Sequence, residues 1–281
     1  MNKIFVLGPA GTNGHEAAIK FSDLALPNAE LIFCERNVEI LQRAEEEGAY
    51  GVVPVENTTA GLVSEVVRDF WLTKKNPCNI QAIGEMQLPI EHHLLVNDSV
   101  QNVKEISSII SHPQALSQCA RRMKELGLLN IPTSSTAEAA RKISAEDNVN
   151  KCGAIASAFA AKIYRLKIIL RNIEDFSENA TRFHLVGPHS VLPSGRDRTA
   201  IIFKLPNKPC ALFNALGTIA EEKINMSSIH SIPSGHPGEY SFYCEFDCHK
   251  DDSKGKKILK HMDSLTDKLL VLGSYQQNIL C

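Results

Sequence analysis

Four times in its first 55 residues the chain passes between a short apolar run and a stretch of helix formers. Residues 3–7 are apolar and end in the turn Gly8-Pro9-Ala10-Gly11. Residues 15–21 place Ala17, Ala18 and Phe21 on one helical side, 31–34 are again apolar, 38–47 form a helix stopped by Gly48, and 50–55 are a third apolar run. Short apolar runs bounded by turn residues read as buried strands. Strands alternating with helices predict a mainly parallel sheet covered by helices.

The pattern restarts after residue 80. Strands are expected at 80–84, 92–96, 109–110, 153–155 and 182–186, and helices at about 114–126, from Ser135, and at 157–163. Pro113 suits the first helical position, where its missing N–H costs nothing. Ser135 and Glu138 have the S-x-x-E spacing of a capping box. Together these make two α/β units. Around 188–198 the composition shifts to Gly, Pro, Ser and charge, as in a connector. Beyond it the order is strand 199–205, helix 211–222, strands 225–232 and 239–247, helix 254–267 and strand 269–275. That is βαββαβ, a ferredoxin-like unit with an antiparallel sheet and helices on one side.

The 281 residues suffice to bury a large core, and 43% hydrophobic with 22% charged residues is an ordinary globular balance. A formal net charge of −2 argues against nucleic acid or a membrane surface as partner. No apolar stretch reaches the roughly 20 residues a spanning helix needs. The four apolar residues after Lys3 fall short of a signal peptide's core, so the cytoplasm is expected. The eight cysteines form no C-x-x-C pair and read as free thiols in a reducing compartment. Cys244, Cys248 and His249 lack a fourth ligand, so no metal is expected.

Polar residues recur at strand ends and helix starts. Thr12 follows the first turn; Glu56, Asn57, Thr58 and Thr59 follow the third strand; Ser111, His112 and Gln114 follow 109–110; Ser134, Ser135 and Thr136 precede a helix; Asn179, Thr181 and Arg182 precede the strand at Phe183. Ligands of open α/β sheets lie outside the carboxyl ends of strands, and helix N-termini there favour anions. Helix capping alone is the simpler explanation of any single cluster. Five of them with few cationic side chains suggest a site that holds carboxylates with hydroxyls and backbone N–H groups. Gly8-x-x-Gly11 is no dinucleotide fingerprint, and neither a P-loop nor a Gly-x-Ser-x-Gly elbow is present. His112, before Pro113, reads as a helix cap or a base. Glu56, on a loop after a buried strand, reads as a solvated carboxylate or an acid.

Four blocks resemble the signatures of the prephenate dehydratase family in order and spacing. They are Val53-Pro54-Val55-Glu56-Asn57-Thr58-Thr59-Ala60-Gly61, Ser111-His112-Pro113-Gln114-Ala115-Leu116-Ser117-Gln118-Cys119, Ser135-Thr136-Ala137-Glu138-Ala139-Ala140 and Asn179-Ala180-Thr181-Arg182-Phe183. Gly8-Pro9-Ala10-Gly11-Thr12 is similar to the family's opening block, and the C-terminal βαββαβ unit to an ACT regulatory domain. The resemblance implies a catalytic domain over 1–188 made of two periplasmic-binding-protein-like α/β lobes with a cleft between them. Lobe 1 is expected at about 1–77 and 177–188, lobe 2 at about 78–176, and an ACT domain at 198–281.

The resemblance further implies conversion of prephenate to phenylpyruvate with loss of water and CO2, in L-phenylalanine biosynthesis, without metal or organic cofactor. It implies Thr181 as the hydroxyl that assists the leaving group and Glu56 as a second candidate acid. Thr12, Asn57, Thr58, His112 and Gln118 are expected at the substrate, with Ser135, Thr136, Arg182 and Phe183. Ala211, Leu212, Asn225, Ser231 and Pro233 would serve an L-phenylalanine effector, in ACT domains that pair into a homo-oligomer, a dimer or tetramer. Asn13 and Gly14 stand where the family carries an aromatic and a hydroxyl residue. Cys210, His230 and Ile232 stand where it carries Gly, Glu and Arg. Rival readings are a dehydratase of arogenate, a prephenate decarboxylase, and a non-catalytic amino-acid sensor.

Overall fold

A computed structural model describes residues 2–73, 79–145, 152–233 and 239–277. Their strands form two sheets. The first lobe supplies β1 (Lys3–Leu7), α1 (Asn13–Ala25), β2 (Glu30–Cys34), α2 (Asn37–Glu46), β3 (Tyr50–Asn57), β4 (Gly61–Leu62), α3 (Ser64–Thr73) and β5 (Gln81–Pro89). The chain then crosses to a second sheet. This lobe comprises β6 (His93–Val96), β7 (Ser108–Ser111), α4 (Pro113–Gln118), α5 (Ala120–Leu126), β8 (Leu129–Pro132), α6 (Thr136–Ala145), β9 (Cys152–Ala156), α7 (Ala158–Tyr164) and β10 (Lys167–Leu170). It returns as β11 (Ala180–Gly187). The C-terminal unit follows as β12 (Asp197–Lys204), α8 (Ala211–Glu221), β13 (Met226–Pro233), β14 (Tyr240–Phe246), α9 (Ser253–Leu265) and β15 (Lys268–Gln276), the βαββαβ order read from sequence.

The second sheet runs β10-β6-β9-β7-β8. The first runs β13-β14-β12-β15-β5-β11-β3-β1-β2, with β4 beside β3, so the C-terminal sheet continues that of the first lobe. The seam is the pair Gly273 and Ala82, where β15 meets β5. A Cβ at Gly273 would lie 2.1 Å from the Ala82 carbonyl oxygen, so only glycine allows this approach. Both sheets are mixed rather than mainly parallel. β1 runs parallel to β2 and β3, but the returning β11 is antiparallel to β3 and β5. The expected lobe boundary at 77/78 falls on residues outside the described ones, and β5 beyond it belongs to the first sheet, so the crossing comes after Pro89.

Two local departures shape the site. The helix expected over 114–126 breaks at Cys119, because Asp175 N–H takes the Gln118 carbonyl at 2.7 Å and the Asp175 carboxylate accepts from Arg121 N–H. β3 runs on to Asn57 and β11 begins at Ala180, so Thr181 pairs with Asn57 and Arg182 with Glu56. The C-terminal sheet is apolar on both faces. Ile201, Cys244 and Phe246 pack beneath α8 and α9, while Ile202, Tyr243 and Tyr275 join the core of the first lobe with Phe70 and Ala82. No described helix is long and apolar enough to cross a membrane.

Candidate active site

Between the two lobes lies a cavity of about 330 Å³. The first lobe contributes Asn13, Asn57, Ala60, Val63, Asn179 and Thr181; the second contributes His92, His112, Gln114, Ala115, Gln118 and Ser134 to Thr136. Three helices begin at its wall: α1 with Asn13, α4 with Gln114 and Ala115, and α6 with Thr136. No Lys or Arg is among the described lining residues. On one flank the lobes touch where the Tyr164 hydroxyl donates to the Ala10 carbonyl at 2.6 Å.

A directed chain of hydrogen bonds crosses the cleft. The Asn57 carboxamide oxygen accepts from Thr59 N–H (3.1 Å), Ala60 N–H (3.0 Å) and the Thr59 hydroxyl (2.7 Å). Those two backbone donors leave one orientation for the amide, so Asn57 Nδ2 donates to Asn179 Oδ1 (2.8 Å), the Ala180 carbonyl (3.1 Å) and Thr181 Oγ1 (3.0 Å). The Thr59 hydroxyl, having donated to Asn57, accepts from Gln118 Nε2 at 2.8 Å. Gln118 Oε1 lies 2.8 Å from His92 Nε2, which therefore carries the proton. Burial lowers the His92 pKa, against the pull of its bond to Gln118, and keeps the ring neutral. Each link points toward Thr181, and such chains polarise one another. Thr181 receives a bond at its oxygen, and no acceptor among the described residues takes its hydrogen.

Of the residues expected at the substrate, Asn57, His112, Gln118, Ser135, Thr136 and Thr181 converge on the cavity. Two of them also cap helices, Ser135 Oγ accepting from Glu138 N–H and His112 Nδ1 from Gln114 N–H. Glu138 turns to Arg141 instead of completing the capping box. Five expected residues lie elsewhere. Thr12 spends its hydroxyl on the Leu7 carbonyl and His15 N–H as the cap of α1, and its neighbour Asn13 takes the wall. Thr58 laces β3 to the Glu178–Ala180 segment. Phe183 is core, packed with Val6 and Met86.

Glu56 and Arg182 face away from the cavity. Strands alternate their side chains, so Arg182, next to Thr181, turns toward the C-terminal unit. Its guanidinium bonds Glu56 (2.9 Å), Glu85 (3.2 Å) and Glu245 (2.7 Å). Glu56 sat in the sequence as a loop residue, but β3 extends through it and Arg182 holds its carboxylate.

Sequence reasoning missed His92 and Asn13. The buried His92 precedes a strand in an apolar run and gave no local signal; Asn13 was legible only as a departure from the family pattern.

A second cavity, of about 390 Å³, opens in the C-terminal unit among Lys204, Leu205, Lys208, Ala211, Leu212 and Phe242. Of the residues expected to serve an effector, Ala211 and Leu212 line this cavity, and Asn225, Ser231 and Pro233 do not. Asn225 bonds Asp247 at the far end of β14, and the other two lie on the edge strand β13. Cys210 holds the left-handed conformation, φ 62° and ψ 5°, at the start of α8. Among the described residues no three His, Cys, Asp or Glu side chains gather as a metal site.

Fold and cavity together define a two-lobed α/β protein whose cleft is lined by hydroxyl and amide side chains. Residues 4–191 match the prephenate dehydratase family, and the chain belongs to it. It is 37% identical to prephenate dehydratase of Methanocaldococcus jannaschii over 281 residues, 98% of each chain. It is 35% identical over 284 residues to arogenate dehydratase/prephenate dehydratase 2 of Arabidopsis thaliana, covering 95% of this chain and 71% of that one. The crystal structure of prephenate dehydratase from Arthrobacter aurescens in complex with L-Phe superposes with a TM-score of 0.87 at 29% identity, covering 99% of this chain and 90% of that one.

Proposed function

We propose that the chain is a carbon–oxygen lyase that converts prephenate to phenylpyruvate, with Thr181 as the group that eases out the ring hydroxyl. The observation that carries this is the Thr181 hydroxyl, fixed by Asn57, its hydrogen taken by no acceptor among the described residues, at the wall of a cleft whose described lining has no cationic side chain. Prephenate is a dianion with its ring carboxylate and hydroxyl on opposite carbons. Hydroxide leaves poorly unless it accepts a proton or a hydrogen bond as it departs. The Thr181 hydroxyl is free to give that bond. Its oxygen, already receiving from Asn57, tolerates the charge that develops.

In this reading a carboxylate meets helix N-termini rather than lysines. α1, α4 and α6 begin at the cavity wall and bring the positive ends of their dipoles to it, although caps already take one N–H in each first turn, those of His15, Gln114 and Glu138. The ring carboxylate loses CO2 more readily where it is shielded from bulk water and its charge is less stabilised, so the helix ends suit the side-chain carboxylate better. Restored aromaticity drives the reaction, so no cofactor is required. Incubating the protein with prephenate, and following ultraviolet absorbance and product identity, tests this; absence of phenylpyruvate sinks it. The Arabidopsis relative's name supports a second reading, in which arogenate is dehydrated to phenylalanine. The same assay with arogenate separates the two.

The C-terminal unit is read as an ACT regulatory domain over 198–281, paired through its sheet edge or helices in a homo-oligomer, with L-phenylalanine as effector. Its βαββαβ order and the cavity beside Ala211 and Leu212 support this. Calorimetric titration with L-phenylalanine and sedimentation of the full chain test the two parts. The catalytic residues 1–188 are read as two periplasmic-binding-protein-like lobes, supported by the cleft between two sheets. The described cysteines are free, as suits a cytoplasmic protein.

A further inference from the structure

The side chains of Arg182 and Arg198 share two carboxylates, Glu85 and Glu245, each only 1% exposed. Arg182 and Glu85 belong to the first lobe, on β11 and β5; Arg198 and Glu245 belong to the C-terminal unit, on β12 and β14. Arg182 lies 2.7 Å from Glu245 and 3.2 Å from Glu85; Arg198 lies 3.1 Å from Glu85 and 3.9 Å from Glu245. The hydroxyls of Tyr243 and Tyr275 donate to Glu245 as well. Two arginines and two shared carboxylates are thus interleaved across the joint between the units, with Glu56 also on Arg182 at 2.9 Å and Asp247 on Arg198 at 3.4 Å. Buried ions hold such a geometry closely, because a displaced partner leaves an uncompensated charge.

Arg182 and Thr181 are consecutive on β11, their side chains on opposite sides of the sheet, one in the joint and one in the cleft. A planar peptide and a Cα spacing of about 3.8 Å connect them, so Arg182 cannot shift alone. We infer that Glu245 and Arg182 are positioning residues for the reaction: through their ion pair the C-terminal unit sets the place of the Thr181 hydroxyl, and a change in that unit reaches turnover rather than substrate binding. The ion pair also explains why an arginine beside the reacting hydroxyl never enters the cavity. This rests on Thr181 being the group that acts on the substrate.

The test is a double-substitution cycle in the full chain with prephenate. Glu245→Gln is expected to lower kcat about 5- to 50-fold with KM within about twofold. In a Thr181→Ala background the same substitution is expected to change kcat by less than about twofold, since it acts only through that hydroxyl. Should Glu245→Gln fail to fold, Tyr243→Phe, which removes one donor to Glu245 and keeps the ring, is expected to lower kcat about 2- to 10-fold. Unchanged kcat in the folded variant, or losses that multiply with those of an impaired Thr181→Ala, would overturn the coupling alone. Full turnover by Thr181→Ala itself would overturn the reading of the cleft, and the coupling with it.

Discussion

Asn57 and Thr181 face each other across adjacent strands, and the amide nitrogen of one donates to the hydroxyl oxygen of the other at 3.0 Å. The direction of that bond decides what Thr181 can do. An oxygen that accepts from within the protein keeps its hydrogen for the ligand. Thr181→Ala is therefore expected to lower kcat about 10²- to 10⁴-fold, while Thr181→Ser retains most of it. Steady-state kinetics with prephenate read both, and near-normal turnover by the alanine variant sinks the assignment.

Reversing the bond should be nearly as harmful as removing it. In Asn57→Asp the carboxylate has no hydrogen to donate and accepts the Thr181 proton instead. A fall in kcat of about 10- to 100-fold is expected, with the melting temperature close to that of the parent. Equal loss of activity and stability would mark Asn57 as structural only.

The link from Gln118 to Thr59 is the point at which the chain of donors crosses the cleft. Thr59→Val keeps the shape and deletes the hydroxyl. Losing the two neutral hydrogen bonds of that hydroxyl, to Asn57 and from Gln118, costs about 1–2 kcal/mol in all, so kcat/KM should fall about 5- to 30-fold, less than for Asn57→Asp. A larger loss than that of Asn57→Asp would show that the chain does not run through Asn57.

His184 lies buried beside Tyr275 in the joint, and burial followed by the charge of Arg182 lowers its pKa to about 3. Below the ordinary value near 6.5 the unfolded chain takes up a proton that the folded one refuses. Stability present above pH 6.5 is thus lost as pH falls toward 3, by about 2 kcal/mol at pH 5 for this residue. Denaturant titrations at pH 7.5 and 5.0 should show a smaller drop in His184→Gln by about that amount; equal drops would refute it.

Cys210 occupies a left-handed conformation with its side chain exposed. That conformation strains any residue with a Cβ, and relief is partly offset by the extra freedom of unfolded glycine. Cys210→Gly is expected to gain about 0.5–1 kcal/mol in chemical denaturation. A loss of stability would mean that the thiol packs better than its exposure indicates.

Much of the fold was legible because strands such as 3–7 and 199–205 are apolar runs with turn residues at both ends. The cleft was legible in outline because Asn57, His112, Gln118, Ser135, Thr136 and Thr181 follow strands or open helices. What local pattern did not carry was direction and distance. The roles of Glu56 and Arg182 depend on which side of a strand each faces, and that follows from a pairing between residues 126 positions apart. His92 acts through Gln118, from another part of its lobe. The single sheet spanning both units rests on one glycine contact, which no periodicity announces.

The described lining of the cavity holds neither lysine nor arginine, and in the function proposed above it is main-chain N–H groups at helix starts that meet a carboxylate. Those groups belong to every residue type but proline. On that proposal, drift in the lining side chains can reshape selectivity while leaving the grip on a carboxylate intact, and ionic strength should weigh little on the encounter. Selection can try neighbouring substrates in such a protein without first rebuilding its electrostatics.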